Sequence, residues 1–291
     1  MRQVSGVGPI PTLTPDMVDR FVDWSRGAER VVIGTHLNPD GDAIGSALGV
    51  SLWLSALGVA NDVLCHHSPP SYLEFLPAVD RIRLESPDKE FDLGIVVDLD
   101  SLDRLGRHQD TFRSLSRLII VDHHVPHESP GDLRIVDTRA PATACILTDL
   151  LDQAGPGLTP EIAECLLTGI VTDTGCFRYA NATAESLHQA ARLIEAGANL
   201  SRVTHHVYSS RSEAAVRLLG AALNQLQHTE QGAIAWATLK PELYLTLGAT
   251  DEHTEGIVNE ILSIDRVKIA AVVRAGANGV ATGSLRSKGE Y

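Results

Sequence analysis

His36, Asp40 and Asp42 stand within seven residues, in His-Leu-Asn-Pro-Asp-Gly-Asp, directly after the short apolar run 31–33. One imidazole and two carboxylates in one loop are metal-ligand types at close spacing. The pattern recurs. Asp98 follows the apolar run 95–97, Asp122-His123-His124 follow the run 118–121, and Asp173 closes an apolar stretch in Thr-Asp-Thr-Gly. An Asp after a strand is ordinarily a turn residue or a helix cap, and a lone histidine is ordinarily structural. The chemical reading rests on four such positions, not on any one of them. Two imidazoles with four carboxylates suit a pair of divalent cations. Nitrogen donors favour Mn²⁺ over Mg²⁺, which keeps to oxygen and retains water; Mg²⁺ and Co²⁺ are the alternatives. Two ions about 3.5–4 Å apart lower the pKa of a shared water and stabilise the attacking and leaving oxygens of a displacement at phosphorus. The chemistry implied is hydrolysis of a phosphoester or phosphoanhydride. The chain has no P-loop, no G-x-S-x-G and no G-x-G-x-x-G, so NTPase, serine-hydrolase and dinucleotide-binding readings lose their usual support.

Elements that could position these residues are visible in the hydrophobic pattern. Thr14-Pro15-Asp16 reads as a helix start, with the helix running to about Gly27 and residues 1–14 loose. A buried strand over about 30–35 leads into the first ligand loop, and a helix from about Ala43 to Leu57 follows, closed by Gly58. Further strands are expected at 60–66, 92–98, 118–122 and 133–136, with helices at 141–153, 161–172 and 184–196. The apolar runs without alternation are those of parallel strands buried on both faces. Strands alternating with helices imply an α/β fold, a mainly parallel sheet flanked by helices. In such a sheet the C-terminal strand ends share one edge, so ligands far apart in sequence converge. Residues 198–227 read as a helix-rich connector. A smaller α/β region follows, with strands at 233–238, 268–274 and 279–286 and a helix at 252–264.

Composition narrows the partners. The chain has 291 residues, 44% of them hydrophobic, and a formal net charge of −13, which argues against coating a nucleic-acid duplex. An acidic protein can still bind a small anion if carboxylate-held cations reverse the local field. Cys65, Cys145, Cys165 and Cys176 show no C-x-x-C spacing, which points to buried thiols in a cytoplasmic protein. Residues 43–61 carry no charge. Their interleaved Gly and Ser fit a helix packed inside an α/β domain better than a membrane span, so no membrane partner is expected.

The set His36-x-x-x-Asp40-x-Asp42, Asp98, Asp122-His123-His124 and Thr172-Asp173-Thr174-Gly175 resembles, in order and spacing, the DHH phosphoesterase superfamily. The chain looks most like its RecJ-like, bacterial nano-RNase and pAp-phosphatase branch. The resemblance implies a DHH catalytic domain over 1–195, a helical linker over 196–215 and a DHH-associated substrate-binding domain over 216–291, with the active site in the cleft between the domains. It implies that His36 and Asp40 hold one metal, Asp42 and His123 the other, that Asp98 bridges them and that Asp173 completes the cluster. His124 would then contact the scissile phosphate and Asp122 would orient the histidine pair, while a metal-bridging hydroxide attacks phosphorus. Ser284-Leu285-Arg286-Ser287-Lys288-Gly289 resembles the family's substrate-binding strand, with Arg286, Ser284 and Lys288 as phosphate or nucleotide contacts. The family continues from this strand into a Gly-Gly-Gly-His motif. The sequence ends at Tyr291 before it, so the second domain is expected to be either truncated there or short by nature.

The activity implied is Mn²⁺-dependent cleavage of very short oligoribonucleotides, with 3′-phosphatase action on adenosine 3′,5′-bisphosphate (pAp). Alternatives are a hydrolase of cyclic or linear dinucleotide messengers (pApA, pGpG, c-di-AMP), an inorganic pyrophosphatase, and a non-catalytic nucleotide sensor. A homodimer is compatible with this reading. Arg104, shortly after Asp98, suits a helix surface at least as well as a phosphate contact, and His66-His67, His127 and His205-His206 read as surface or packing residues.

Overall fold

The computed structural model describes residues 13–99, 101–126, 130–275 and 281–288. Two compact units divide after Ser209. The first holds α1 (Pro15–Gly27), β1 (Arg30–Gly34), α2 (Gly41–Ala56), β2 (Ala60–Leu64), β3 (Ile82–Arg83), β4 (Leu93–Val97), α3 (Gln109–Arg113), β5 (Leu118–Asp122), β6 (Leu133–Val136), α4 (Thr143–Gln153), α5 (Pro160–Asp173), α6 (Ala184–Glu195) and α7 (Leu200–Tyr208). Its six strands lie in the order β3-β2-β1-β4-β5-β6, and every pairing is parallel. All C-terminal strand ends therefore lie on one edge. The strand order reverses between β1 and β4, the place where open α/β sheets bind ligands.

Both faces of this sheet are covered. Val31, Ile33, Ile95, Val97, Ile119 and Val121 face the main core, built with α1, α2, α4 and α5. Val32, Leu64, Val96 and Ile120 face a smaller core closed by Leu102, Leu105 and Phe112. The uncharged stretch after Asp42 is α2, buried against α5. A Cβ at Gly45 would stand 2.3 Å from the Cys165 carbonyl oxygen, so the interleaved small residues serve close helix packing. Among the described residues no helix is long and apolar enough to cross a membrane.

The stretch read as a connector resolves into two helices with different loyalties. Val203 of α7 buries in the first core, whereas Leu218 and Ala222 of α8 (Glu213–Asn224) bury in the second. The second unit continues with β7 (Gln227–His228), β8 (Ile234–Leu239), α9 (Pro241–Leu247), α10 (Ile257–Leu262), β9 (Ile269–Ala275) and β10 (Ala281–Ser287). Its sheet runs β10-β9-β8-β7, with β8 and β9 parallel and the outer pairings antiparallel. The helix expected at 252–264 is shorter, because Gly256 at φ +78° separates a 3-10 turn, Asp251–Thr254, from α10.

Candidate metal centre

Each expected ligand leaves the C-terminal edge of the first sheet or a helix end beside it. After β1 the chain turns through His36. The imidazole Nδ1 donates to the Leu37 carbonyl at 2.7 Å, which turns Nε2 to within 3.3 Å of Asp98 Oδ2 and 4.0 Å of Asp40 Oδ1. Asp40 also caps α2, its Oδ1 accepting from the backbone N–H groups of Asp42 and Ala43, both at 3.1 Å. The everyday role of an Asp at a helix start and the chemical one thus coexist in one carboxylate. Gly41 is required because a Cβ there would stand 2.4 Å from Thr172.

Asp98 follows β4 in the left-handed region, at φ +58°, with its N–H bonded to the Val121 carbonyl. Its Oδ1 accepts from the Thr143 hydroxyl at 3.0 Å and lies 3.4 Å from His123 Nε2. Asp is one of the few non-glycine residues that enter this conformation readily, and here it turns the carboxylate toward the imidazoles of His36 and His123. Asp122 ends β5 and gathers the next two residues. Its Oδ1 accepts from the backbone N–H groups of His123 and His124, at 2.8 and 3.2 Å, and from His124 Nδ1 at 2.9 Å. His123 Nδ1 donates to the Ala140 carbonyl at 3.2 Å, which aims Nε2 at Asp98 and at Asp173 Oδ2, 3.4 Å away.

Asp42 has no solvent exposure. It sits on the N-terminus of α4, with Oδ2 accepting from Thr143 N at 2.6 Å and Oδ1 from Ala144 N at 2.9 Å and the Ser46 hydroxyl at 3.3 Å. The helix end stabilises the buried carboxylate. Asp173 closes α5, and the Asn181 side chain holds its carbonyl at 3.1 Å and that of Pro141 at 3.3 Å. Three donor sets result: His36, Asp40 and Asp98; Asp98, His123 and His124; and Asp42, His123 and Asp173. Within each set the ligand atoms lie within 4.8 Å of one another. Asp98 and His123 each belong to two of them.

The electrostatics say what belongs among these groups. Both His36 and His123 have Nδ1 engaged by a carbonyl, an acceptor only, so Nδ1 carries a proton and a neutral ring presents a lone pair at Nε2. Two lone pairs aimed at carboxylate oxygens at 3.3–3.4 Å are repulsive unless a proton or a cation lies between. In the metal-free chain, protons do this. Burial alone would lower the pKa of His123, but its hydrogen bond to Asp98 and the charges of Asp42, Asp98 and Asp173 raise it to about 10. His36 is raised too, as the bond and charge of Asp98 outweigh burial. Burial would lift Asp98, yet the hydrogen bonds from His123 and His36 hold it far below the usual carboxylate range. Burial, then the charges of Asp98 and Asp40, push Asp42 up to about 7. Burial and the charges of Asp42, Asp40 and Asp98 raise Asp173 as well. Carboxylates that resist ionising together, beside imidazoles that retain protons, form a site that exchanges protons for divalent cations. The donor set therefore fits the expected ions.

The substrate residues read from the sequence lie on the second unit. Ser284 and Arg286 are two apart on the edge strand β10, in register with Val272 and Ala270 of β9. Arg286 Nη1 donates to the Leu285 carbonyl at 3.0 Å. Lys288 Nζ donates to the carbonyls of Ile264 and Asp265, at 2.8 and 3.4 Å. Gly289, Tyr291 and His127 lie outside the described residues. Sequence reasoning missed Thr143, the Ala140 carbonyl and Asn181. For Thr143 a signal existed: like Asp42, it opens an apolar helix just past a strand.

A parallel sheet that gathers His36, Asp40, Asp42, Asp98, His123 and Asp173 at one edge defines a class of hydrolase. The family model for the DHH family, N-terminal domain, matches residues 30–170. The chain belongs to the DHH family of phosphoesterases and is a hydrolytic enzyme. It is 34% identical over 263 residues to the bifunctional oligoribonuclease and PAP phosphatase NrnA of Thermus thermophilus, an alignment covering 89% of this chain and 76% of that one. The same-named Bacillus subtilis protein is 28% identical, over 82% of this chain and 76% of its own. Among solved structures, an exopolyphosphatase-related protein from Bacteroides fragilis superposes with a TM-score of 0.89 at 28% identity, covering 98% of this chain and 86% of that one.

Proposed function

We propose that this DHH enzyme hydrolyses very short oligoribonucleotides, from dinucleotides upward, and removes the 3′-phosphate of pAp. The observation that carries this reading is the 34% identity, over 89% of the chain, to a protein named for those two activities. The complete donor set supports the phosphoryl chemistry itself. We assign His36 and Asp40 to one cation, Asp42, His123 and Asp173 to the other, and Asp98 to both. Bound there, two Mn²⁺ ions would neutralise phosphoryl charge and make water a stronger nucleophile at neutral pH. The mix of imidazole and carboxylate donors supports Mn²⁺.

The chain's own residues supply the rest. His124 has its Nδ1 on Asp122, so Nε2 is left for a phosphoryl oxygen. That hydrogen bond is the main cause of its raised pKa, which supports a protonated, donating imidazole. Arg286 and Ser284 are proposed as contacts for the phosphate or terminal nucleotide; Lys288, with its ammonium on two carbonyls, is the weaker member of that set. Four free thiols support a reducing, cytoplasmic setting.

The test is a panel of pAp, pApA, pGpG, c-di-AMP, longer RNA, pyrophosphate and polyphosphate, each incubated with the full chain and Mn²⁺. The expected order places the linear dinucleotides and pAp first. Polyphosphate as the best substrate would favour the likeness to the exopolyphosphatase-related structure instead. No turnover of any nucleotide would reject the proposal.

A further inference from the structure

The ligand loop is held from behind by histidines that the metal centre does not use. Asn38 is in the left-handed region, at φ +51°, and its N–H donates to His67 Nδ1 at 3.1 Å. The Leu37 N–H donates to the Arg104 carbonyl at 2.8 Å. His66, whose ring meets that of His67 edge-on with centroids 4.4 Å apart, accepts from Arg107 N at 2.9 Å. Gly106, at φ +61°, packs so closely here that a Cβ would stand 2.3 Å from His66 Nδ1 and 2.6 Å from Leu37 Cδ2. The Cys65-His66-His67 segment leaving β2 thus ties the loop after β1 to the turn Leu102–His108 after β4.

We propose that His67 is a positioning residue for the metal ligand His36, acting through the Leu37–Asn38 peptide. This rests on the assignment of His36 as a ligand. The two ends of one trans peptide plane carry the contacts: the Leu37 carbonyl accepts from His36 Nδ1, and the Asn38 N–H donates to His67 Nδ1. Fixing the N–H fixes where the carbonyl points, and that fixes the ring and the aim of Nε2 toward Asp98. Donation to His67 also polarises the carbonyl, which strengthens its hold on the Nδ1 proton and makes Nε2 a better donor to a cation. Asn38 suits the role because Asn enters the left-handed region at little cost. The arrangement requires His67 to be neutral with its proton on Nε2. Slight desolvation, then the neighbouring His66 and Arg107, lower its pKa, in the required direction.

The test uses the full chain with His67→Leu, which removes the acceptor, and His67→Asn, whose Oδ1 replaces Nδ1. Mn²⁺ is titrated and the free ion read by electron paramagnetic resonance. His67→Leu is expected to weaken one of the two sites by about 3–10-fold, below the usual 10–100-fold for an outer partner because His67 is exposed. The other site should be unchanged, and His67→Asn should restore binding. Equal weakening of both sites, no weakening, or identical behaviour of the two variants would overturn the relay. If the unaltered chain binds no Mn²⁺, the metal reading itself fails and the relay with it. Long-range ¹H–¹⁵N spectra of the unaltered chain need no variant to fold. They should show the Nε2–H tautomer at His67, and an Nδ1–H tautomer there would refute the inference.

Discussion

The two halves of the proposed metal centre are built differently although they share Asp98. The His36 half hangs on a loop. Its carboxylate, Asp40, keeps 46% of its side-chain surface exposed and serves as a helix cap. The His123 half is built into helix ends: Asp42 is fully buried and takes two backbone N–H groups from the first turn of α4. One half is chemistry added to a loop, while the other is also part of what holds α2, α4 and α5 together. Loss of a ligand should therefore cost metal binding in both halves and folding stability mainly in the second.

The largest effect is expected where the halves meet. Asp98→Asn keeps the side-chain shape and the left-handed backbone, which Asn tolerates, but removes the charge that both imidazoles face. Turnover should fall by about 10³-fold, more than the roughly 10–100-fold that loss of an outer partner costs. Mn²⁺ binding should weaken in both sites. Mn²⁺-dependent cleavage of pApA surviving at the unaltered rate would show that the centre is misassigned.

A smaller, sharper contrast lies in stability. With chelator at pH 6, below the value of about 7 for Asp42, Asp42→Ala leaves the buried N–H groups of Thr143 and Ala144 without their acceptor. That should cost about 2–5 kcal/mol. Asp40→Ala loses a helix cap, about 1 kcal/mol. Both should abolish activity, so urea unfolding is what separates them. Equal destabilisation would mean that the two halves are built alike after all.

That asymmetry also explains what the sequence could reveal. His36, Asp98 and His123 were visible because each follows a buried strand, and parallel strands deliver their ends to one edge. The partners that aim them were not. The Ala140 and Leu37 carbonyls and the Thr143 and Ala144 N–H groups are backbone atoms, which every residue type has. His67 reads as a surface or packing residue, and it is exposed; its bond to the N–H of Asn38, 29 residues away, could not be read from residue types, since no carboxylate stands nearby to suggest a role. In the second unit the expected helix over 252–264 failed locally at Gly256, whose positive φ no apolar periodicity encodes. Ser284 and Arg286 could be put on a strand, but their chemistry came from resemblance alone.

The mildest prediction concerns pH and again separates proton from metal. In the metal-free chain, Asp42 moves from its ordinary 3.8 to about 7, and His123 from 6.5 to about 10. Asp173 and His36 shift upward as well. A raised value in the folded state means that folding takes up protons. Their contribution is full below the unfolded values and is lost as pH rises through the folded ones. Asp98 runs the other way: its lowered value contributes above 3.8 and is lost only in strong acid. Between pH 6 and pH 9 the upward shifts dominate, so with chelator the chain should melt at a lower temperature at pH 9. Mn²⁺ replaces those protons and binds the deprotonated ligands, so the rise in melting temperature it produces should be larger at pH 9 than at pH 6. Thermal unfolding with and without Mn²⁺ at the two pH values measures this directly. A rise that is larger at pH 6 would mean that protons and cations do not compete for the same groups, and that the cluster is a network of ion pairs and not a metal site.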